Sequence, residues 1–129
     1  MLTNGNRMTM RTCISQERKR KRHWREGEGN MSRIYISGAI TGTSDFRERF
    51  LKAEKKLIEC GWETVNPARL NDIMPKDATY NEYMKMSFEL LSMCDTIYML
   101  KGWEESKGAN REYGFAVARG IKILMEESA

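Results

Sequence analysis

The chain has 129 residues, enough for one domain with its own hydrophobic core. Its net charge of +4 is concentrated in residues 1–30, which carry eight Lys and Arg against three Asp and Glu, whereas residues 31–129 carry fourteen against fifteen. A near-neutral domain argues against a nucleic-acid-binding surface on the fold. No run of eighteen apolar residues and no secretory signal is present, so the sequence predicts a cytoplasmic protein without a membrane span.

The cysteines give no sign of a metal centre or a disulfide framework. Cys13, Cys60 and Cys94 are an odd set without CxxC spacing, and His23 is the one histidine available to join them. We predict reduced thiols, no metal and no organic cofactor.

Residues 1–30 are predicted to be a disordered basic leader. The segment is polar and places its charge in residues 18–22, so it cannot bury enough apolar area to offset the entropy of ordering. Three hypotheses remain open: a nucleic-acid or targeting arm, an inert tail, or a stretch that is not natively translated. The third hypothesis rests on the Glu-Gly repeats before Met31, whose codons resemble a ribosome-binding site.

From Arg33 onward, short apolar runs alternate with helical stripes. The pattern predicts a strand at residues 34–36 and a loop of small residues at 37–44. It also predicts a helix at residues 46–60, where apolar positions recur three and four apart. Thr43 or Ser44 is expected to cap this helix and Gly61 to end it. A second strand covers residues 62–65, and residues 68–79 are expected to form a loop with little regular structure.

The second half of the chain continues the alternation. The patterns predict a helix at roughly 81–94, a strand at 95–100, a loop at 101–108, a helix at 109–119 and a final strand at 121–125. This order favours an α/β fold, a Rossmann-like or flavodoxin-like three-layer sandwich with a mostly parallel sheet of four to five strands. Ligands of such sheets lie beyond the carboxyl ends of the strands, which directs attention to the loops at 37–44 and 101–111.

The first loop joins glycines and hydroxyl side chains directly before a helix. Free backbone N–H groups at a helix start favour an anion, although small residues also serve ordinary tight turns. The loop matches neither the GxxxxGK[ST] nor the GxGxxG pattern, which weakens kinase and dehydrogenase hypotheses.

The second loop offers a candidate nucleophile. Gly108 permits a sharp turn into the third helix, and Glu112 then falls in or near its first turn, where the helix dipole favours the ionised carboxylate. A carboxylate suits attack on an anomeric carbon, because the transition state is cationic. The alternative is that Glu112 only stabilises the helix start. Asp95 stands at the amino end of its strand, where it can equally serve as a turn or cap residue.

Together these segments resemble a known family. Residues 34–42, Asn66-Pro67, Cys94-Asp95 and residues 102–112 look like the DUF4406 group, which is similar to nucleoside 2-deoxyribosyltransferases and to deoxynucleoside 5′-monophosphate N-glycosidases. The resemblance implies Glu112 as nucleophile, Asp95 as a group that assists with the base, and a first loop that touches sugar or phosphate. It also implies a homodimer or a higher homo-oligomer.

Ser106 bears on the choice of substrate. Six residues before the nucleophile, the nucleoside transferases place an aspartate and the monophosphate glycosidases a serine, so the resemblance implies a 5′-phosphate here. A hydroxyl can donate to a phosphate that a carboxylate would repel, and Lys107 adds attraction. The chain departs from the glycosidases at Ala39 and Thr41, and from the common helical aspartate at Ser87.

The sequence thus predicts an enzyme that cleaves or transfers the N-glycosidic bond of a deoxynucleoside 5′-monophosphate. The alternative is a nucleotide-binding or sensing module that kept the pocket and lost the chemistry. Tyr35 and Trp103 are either base-stacking or packing residues, and Tyr113 is expected at the core or at an interface. The predicted catalytic residues are Glu112 and Asp95, and the predicted substrate-binding residues are Ser37, Gly38, Ala39, Ile40, Thr41, Gly42, Trp103, Ser106, Lys107 and Gly108.

Overall fold

The computed structural model describes residues 32–40 and 43–127. The predictions for the leader at 1–30 and for Thr41 and Gly42 lie outside the described residues. The strands are β1 (Arg33–Ser37), β2 (Glu63–Val65), β3 (Thr96–Met99) and β4 (Lys122–Met125). The helices are α1 (Phe46–Glu59), α2 (Leu70–Ile73), α3 (Tyr80–Ser92) and α4 (Lys107–Ala118), with 3-10 helices at Pro67–Arg69 and Trp103–Glu105.

The four strands form one all-parallel sheet in the order β2-β1-β3-β4. Tyr35 of β1 pairs with Val65 of β2 on one side and with Ile97 of β3 on the other. All four carboxyl ends therefore meet at one edge of the sheet, with the end of β1 between those of β2 and β3. The predicted α/β architecture with a parallel sheet of four to five strands is confirmed.

Alternation along β1 assigns its side chains to two separate cores. Ile34 and Ile36 pack with α1 on one face, whereas Tyr35 packs on the opposite face among residues of α3 and α4. Each of these three side chains is fully buried, and burial of each isoleucine side chain contributes roughly 2 kcal/mol. The fold is a three-layer sandwich with the sheet in the middle.

The ends of α1 confirm one expectation and correct another. Gly61 ends the helix with a φ of 98°, a left-handed conformation that glycine adopts without a Cβ clash. The expected cap by Thr43 or Ser44 is wrong, because Asp45 occupies the N-cap position. The Thr43 hydroxyl donates instead to the carbonyl of Ile40, at 3.0 Å.

The expected loop at 68–79 is the clearest error in the predicted elements. Asn66 accepts a hydrogen bond from the Ala68 N–H at 3.0 Å and starts a 3-10 helix, with Pro67 at its first position. This helix continues directly into α2. Thr79 and Glu82 then form a reciprocal capping box at the start of α3.

Three further observations concern the cysteines, the helices and the metal-binding side chains. Cys60 and Cys94 are buried and are not joined by a disulfide. Across residues 32–40 and 43–127, none of the helices has the length and apolar character needed to cross a membrane. The same ranges hold no group of three or more His, Cys, Asp or Glu side chains arranged to bind a metal ion.

Candidate active site

A cavity of about 620 Å³ opens at the carboxyl edge of the sheet. Its volume falls within the range of small-molecule binding sites. Its walls come from the end of β1, from α1, from the segment after β2, from α3, and from the start of α4. The lining residues are Ile36, Gly38, Ile40, Phe50, Pro67, Leu70, Asn71, Ala78, Tyr80, Tyr83, Met84, Ser87, Glu105, Ser106, Lys107, Gly108, Ala109 and Glu112.

The start of α4 is built to lie close to the cavity. The Ser106 hydroxyl accepts a hydrogen bond from the Ala109 N–H at 3.1 Å and caps the helix. Gly108 lies against α3, since a Cβ at this position would be 3.4 Å from the Tyr80 Oη and 3.5 Å from the Met84 Sδ, which are ordinary van der Waals contacts.

Glu112 lies in the second turn of α4 and faces β1. Only 7% of its surface is exposed, and each carboxylate oxygen accepts one hydrogen bond. The Tyr35 phenol donates to Oε2 at 2.5 Å, and the Ser37 hydroxyl donates to Oε1 at 2.6 Å. Because Tyr35 and Ser37 are two positions apart on one strand, their side chains lie on the same face of the sheet and both can donate to the carboxylate.

The environment of Glu112 opposes its ionisation. Burial raises the pKa of Glu112, and the hydrogen bonds from Ser37 and Tyr35 lower it. Burial has the larger effect, so the resulting pKa is about 7. This corrects the expectation that the helix dipole keeps the carboxylate ionised, since the dipole acts mainly within the first turn and Glu112 lies beyond it. Near neutral pH the carboxyl is therefore present in both protonation states.

Tyr35 is a proton donor over the whole physiological pH range. Burial raises the pKa of its phenol well above the usual value, and the charge and hydrogen bond of Glu112 raise it further. A hydrogen bond with Ser87, which lines the cavity from α3, lowers that pKa. Tyr35 and Ser37 thus supply the two hydroxyl groups bonded to the Glu112 carboxylate, and Ser87 supplies a hydroxyl beside Tyr35.

Most of the predicted site residues that the structure describes converge on this cavity. Gly38, Ile40, Ser106, Lys107 and Gly108 line it together with Glu112. Ser37 contacts the carboxylate of Glu112 and is itself buried.

Besides Ser37, two predicted substrate-binding residues in the described ranges do not line the cavity. Ala39 lies beside it in the chain, between the lining residues Gly38 and Ile40. Trp103 stacks on Tyr113, with the ring centroids 4.8 Å apart, and packs against the core on the α3 and α4 side. The packing alternative for Trp103 agrees with this placement.

Asp95 lies at the opposite edge of the sheet. It is exposed and immediately precedes β3, where its backbone N–H donates to the Arg33 carbonyl and its own carbonyl accepts from Lys122. Its carboxylate accepts from the Thr96 hydroxyl at 3.0 Å. The structure therefore does not bring Asp95 to Glu112 within one chain.

Several lining residues were not predicted from the sequence. Asn71 comes from the segment predicted to be a loop, and Tyr83 comes from the second predicted helix, outside its apolar stripe. One usable signal was present in β1, where two hydroxyl residues, Tyr35 and Ser37, alternate with isoleucines in an otherwise apolar strand. A buried strand face with two hydroxyls requires a polar partner.

The fold and the cavity define a class: parallel α/β sandwiches with a small-molecule pocket at the carboxyl ends of the strands, here with a buried carboxylate in its wall. The chain belongs to the DUF4406 family, described as a domain of unknown function, whose model matches residues 32–125. No curated protein matches the sequence.

Proposed function

We propose that the protein cleaves or transfers the N-glycosidic bond of a deoxynucleoside 5′-monophosphate, with Glu112 as the nucleophile. The observation that carries the proposal is the placement of the Glu112 carboxylate, which lines the cavity and is held at both oxygens by Tyr35 and Ser37. Fixed hydrogen bonds hold a nucleophile in one orientation before the substrate arrives. The resemblance to 2-deoxyribosyltransferases and monophosphate glycosidases supports the same assignment.

The proposed first step forms a covalent intermediate. One Glu112 oxygen attacks C1′ of the sugar, the bond from C1′ to the base nitrogen breaks with its electron pair going to the base, and the departing base takes a proton from solvent. Water then attacks C1′ and loses a proton to solvent, the bond from C1′ to the Glu112 oxygen breaks with its electron pair returning to the carboxylate, and 2-deoxyribose 5-phosphate is released. A second base in place of water gives transfer.

The start of α4 is the proposed phosphate site. The Ser106 oxygen accepts from the Ala109 N–H, which leaves the hydroxyl proton for a phosphate oxygen. The first N–H groups of α4 and the Lys107 ammonium add positive potential at the same wall of the cavity.

A binding or sensing module is the second candidate. Ser87 stands where relatives often carry an aspartate, so this wall of the cavity offers a hydroxyl in place of a carboxyl group. A pocket without that acid can bind a nucleotide and leave its glycosidic bond intact. This candidate predicts nucleotide affinity without release of base.

One assay separates the two candidates. Wild-type protein is incubated with the four common deoxynucleoside 5′-monophosphates, and free base is measured by chromatography. The enzyme proposal expects release from at least one nucleotide and a loss of about a thousandfold or more in Glu112→Ala. Nucleotide binding without release, unchanged in the variant, establishes the sensing module and rejects the enzyme.

A further inference from the structure

Glu54 is a buried carboxylate on the apolar face of α1, outside the contacts of Glu112. It is 9% exposed and lies on the buried side of the helix with Phe50, Ala53 and Leu57. A charge at such a position is unfavourable unless several donors surround it. The side chains that donate to Glu54 therefore indicate its role.

Three side chains donate to this carboxylate, one from β2 and two from the segment that follows it. Arg69 Nη2 and Asn66 Nδ2 approach Oε1 at 2.7 Å and 3.1 Å, and Thr64 Oγ1 approaches Oε2 at 3.2 Å. Burial opposes ionisation, but the hydrogen bonds from Arg69, Asn66 and Thr64 and the charge of Arg69 together lower the pKa of Glu54. The group therefore remains a carboxylate, able to accept from all three.

Asn66 connects the Glu54 carboxylate to the cavity wall. Because its Nδ2 donates to Glu54, its amide oxygen faces the other way and accepts from the Ala68 N–H at 3.0 Å. That bond caps the 3-10 helix Pro67–Arg69, which leads into α2. Pro67, Leu70 and Asn71 of this stretch line the cavity.

We propose that Glu54 is a positioning residue that sets the wall formed by Pro67, Leu70 and Asn71, and thereby the affinity for the base of the nucleotide. The inference rests on the proposed function. In the sheet order, β2 and β3 flank β1, so this wall and the start of α4 lie beyond strands on opposite sides of β1. With the phosphate at α4, the base reaches toward the wall.

The wall has the composition of a base site. Pro67 and Leu70 supply apolar surface, and Asn71 supplies an amide whose Nδ2 is already bonded to the Ala68 carbonyl at 3.2 Å. With Nδ2 engaged in this bond, Oδ1 is the atom that Asn71 can offer as an acceptor to an N–H group of a base edge. A shift of the backbone at 66–71 displaces this acceptor together with the apolar surface.

The test uses Glu54→Gln, which keeps the side-chain shape but removes the negative charge that pairs with Arg69 and replaces one acceptor oxygen with an NH₂ group. Two ligands are compared: the best-cleaved deoxynucleoside monophosphate, through its KM, and 2-deoxyribose 5-phosphate, through its inhibition constant. The expected result is a KM raised about tenfold with kcat within about threefold, and an unchanged inhibition constant. Glu59→Gln, at the exposed last position of the same helix, is the matched control.

A second variant covers the case in which Glu54→Gln does not fold. Arg69→Gln removes one exposed donor and is expected to give the same pattern at about threefold. Equal weakening of both ligands, or a fall in kcat at constant KM, overturns the inference.

The proposed function can fail separately. If wild-type protein binds nucleotides without cleaving them, calorimetric titration of the same two ligands replaces the kinetic constants. The inference then requires that Glu54→Gln raise the dissociation constant of the nucleotide and leave that of 2-deoxyribose 5-phosphate unchanged. If wild-type protein binds neither ligand, the inference falls with the proposed function.

Discussion

The Tyr35 phenol donates to the Glu112 carboxylate at 2.5 Å, and this bond joins the first strand to the last helix across 77 positions of sequence. With the Ser37 bond at 2.6 Å, it occupies both oxygens of a carboxyl group that is otherwise buried. The contact fixes the orientation of the proposed nucleophile. It also opposes the effect of burial, so it helps to set the pH at which the carboxyl ionises.

The first prediction concerns the pH dependence of base release. Glu112 attacks as the carboxylate, so kcat/KM is expected to fall about tenfold per pH unit below its pKa of about 7 and to level off above it. A pH–rate profile between pH 5 and 9 measures this limb. A profile that is flat through pH 6 would rule out Glu112 as the group that must be ionised.

Removing either hydroxyl sharpens the same prediction. Tyr35→Phe and Ser37→Ala each remove a hydrogen bond that stabilises the carboxylate, so the acidic limb is expected to move to higher pH and the plateau to fall about tenfold. Purely structural damage would lower the plateau and leave the limb in place. The comparison of profiles therefore separates the two effects.

The second prediction concerns stability. The pKa of Glu112 is raised on folding, so the folded state binds a proton more tightly, and burial of the charge lowers stability progressively as pH rises from about 4.5 to about 7. Glu112→Gln removes the charge and is expected to raise the free energy of unfolding at pH 8 by about 1–3 kcal/mol. At pH 5 the gain is expected to be much smaller. Urea unfolding at the two pH values tests this, and a loss of stability at pH 8 contradicts it.

The third prediction concerns the phosphate site. Ser106→Asp keeps a good N-cap for α4 but places a negative charge at the proposed phosphate site. The KM for the monophosphate is expected to rise about tenfold or more, whereas cleavage of the corresponding nucleoside is expected to fall less. The nucleoside is the internal control, and equal effects on both substrates would argue against a phosphate at Ser106.

The fourth prediction concerns Asp95. Its carboxylate lies at the amino edge of the sheet, so Asp95→Asn is expected to change kcat/KM by less than about threefold. Steady-state kinetics with the best-cleaved nucleotide measure the change. A loss of a hundredfold or more would restore the catalytic role that the family resemblance implies for this residue.

The sequence was sufficient for the architecture because the signals were periodic and local. The apolar stripe of α1 and the alternation of short strands with helices predict the sandwich without knowledge of any contact. The segment at 67–73 was missed because a four-residue helix after a 3-10 turn is too short to show a period. Its start signal, Asn66 before Pro67, is present in the sequence directly after the predicted second strand.

The sequence indicated candidate site residues that lie in one segment, but it did not indicate contacts between segments that are distant in sequence. Glu112 and Gly108 lie within the first two turns of one helix and were identified from the loop chemistry, whereas Ser106 was identified through the family resemblance. The partners of Glu112 lie on β1, and no local pattern states that a strand hydroxyl reaches a helix 75 positions later. Tyr83 and Ser87 share a helix with core residues, and periodicity does not separate a face on the core from one on a cavity.

The central claim is a covalent bond between Glu112 and C1′ of the sugar. Wild-type protein is mixed with the best-cleaved nucleotide, quenched in acid within one turnover, digested and analysed by mass spectrometry. The account predicts a 2-deoxyribose 5-phosphate adduct on the peptide that contains Glu112, absent from Glu112→Gln. Base release by wild-type protein with the adduct on another residue, or undiminished release by Glu112→Gln, would contradict it.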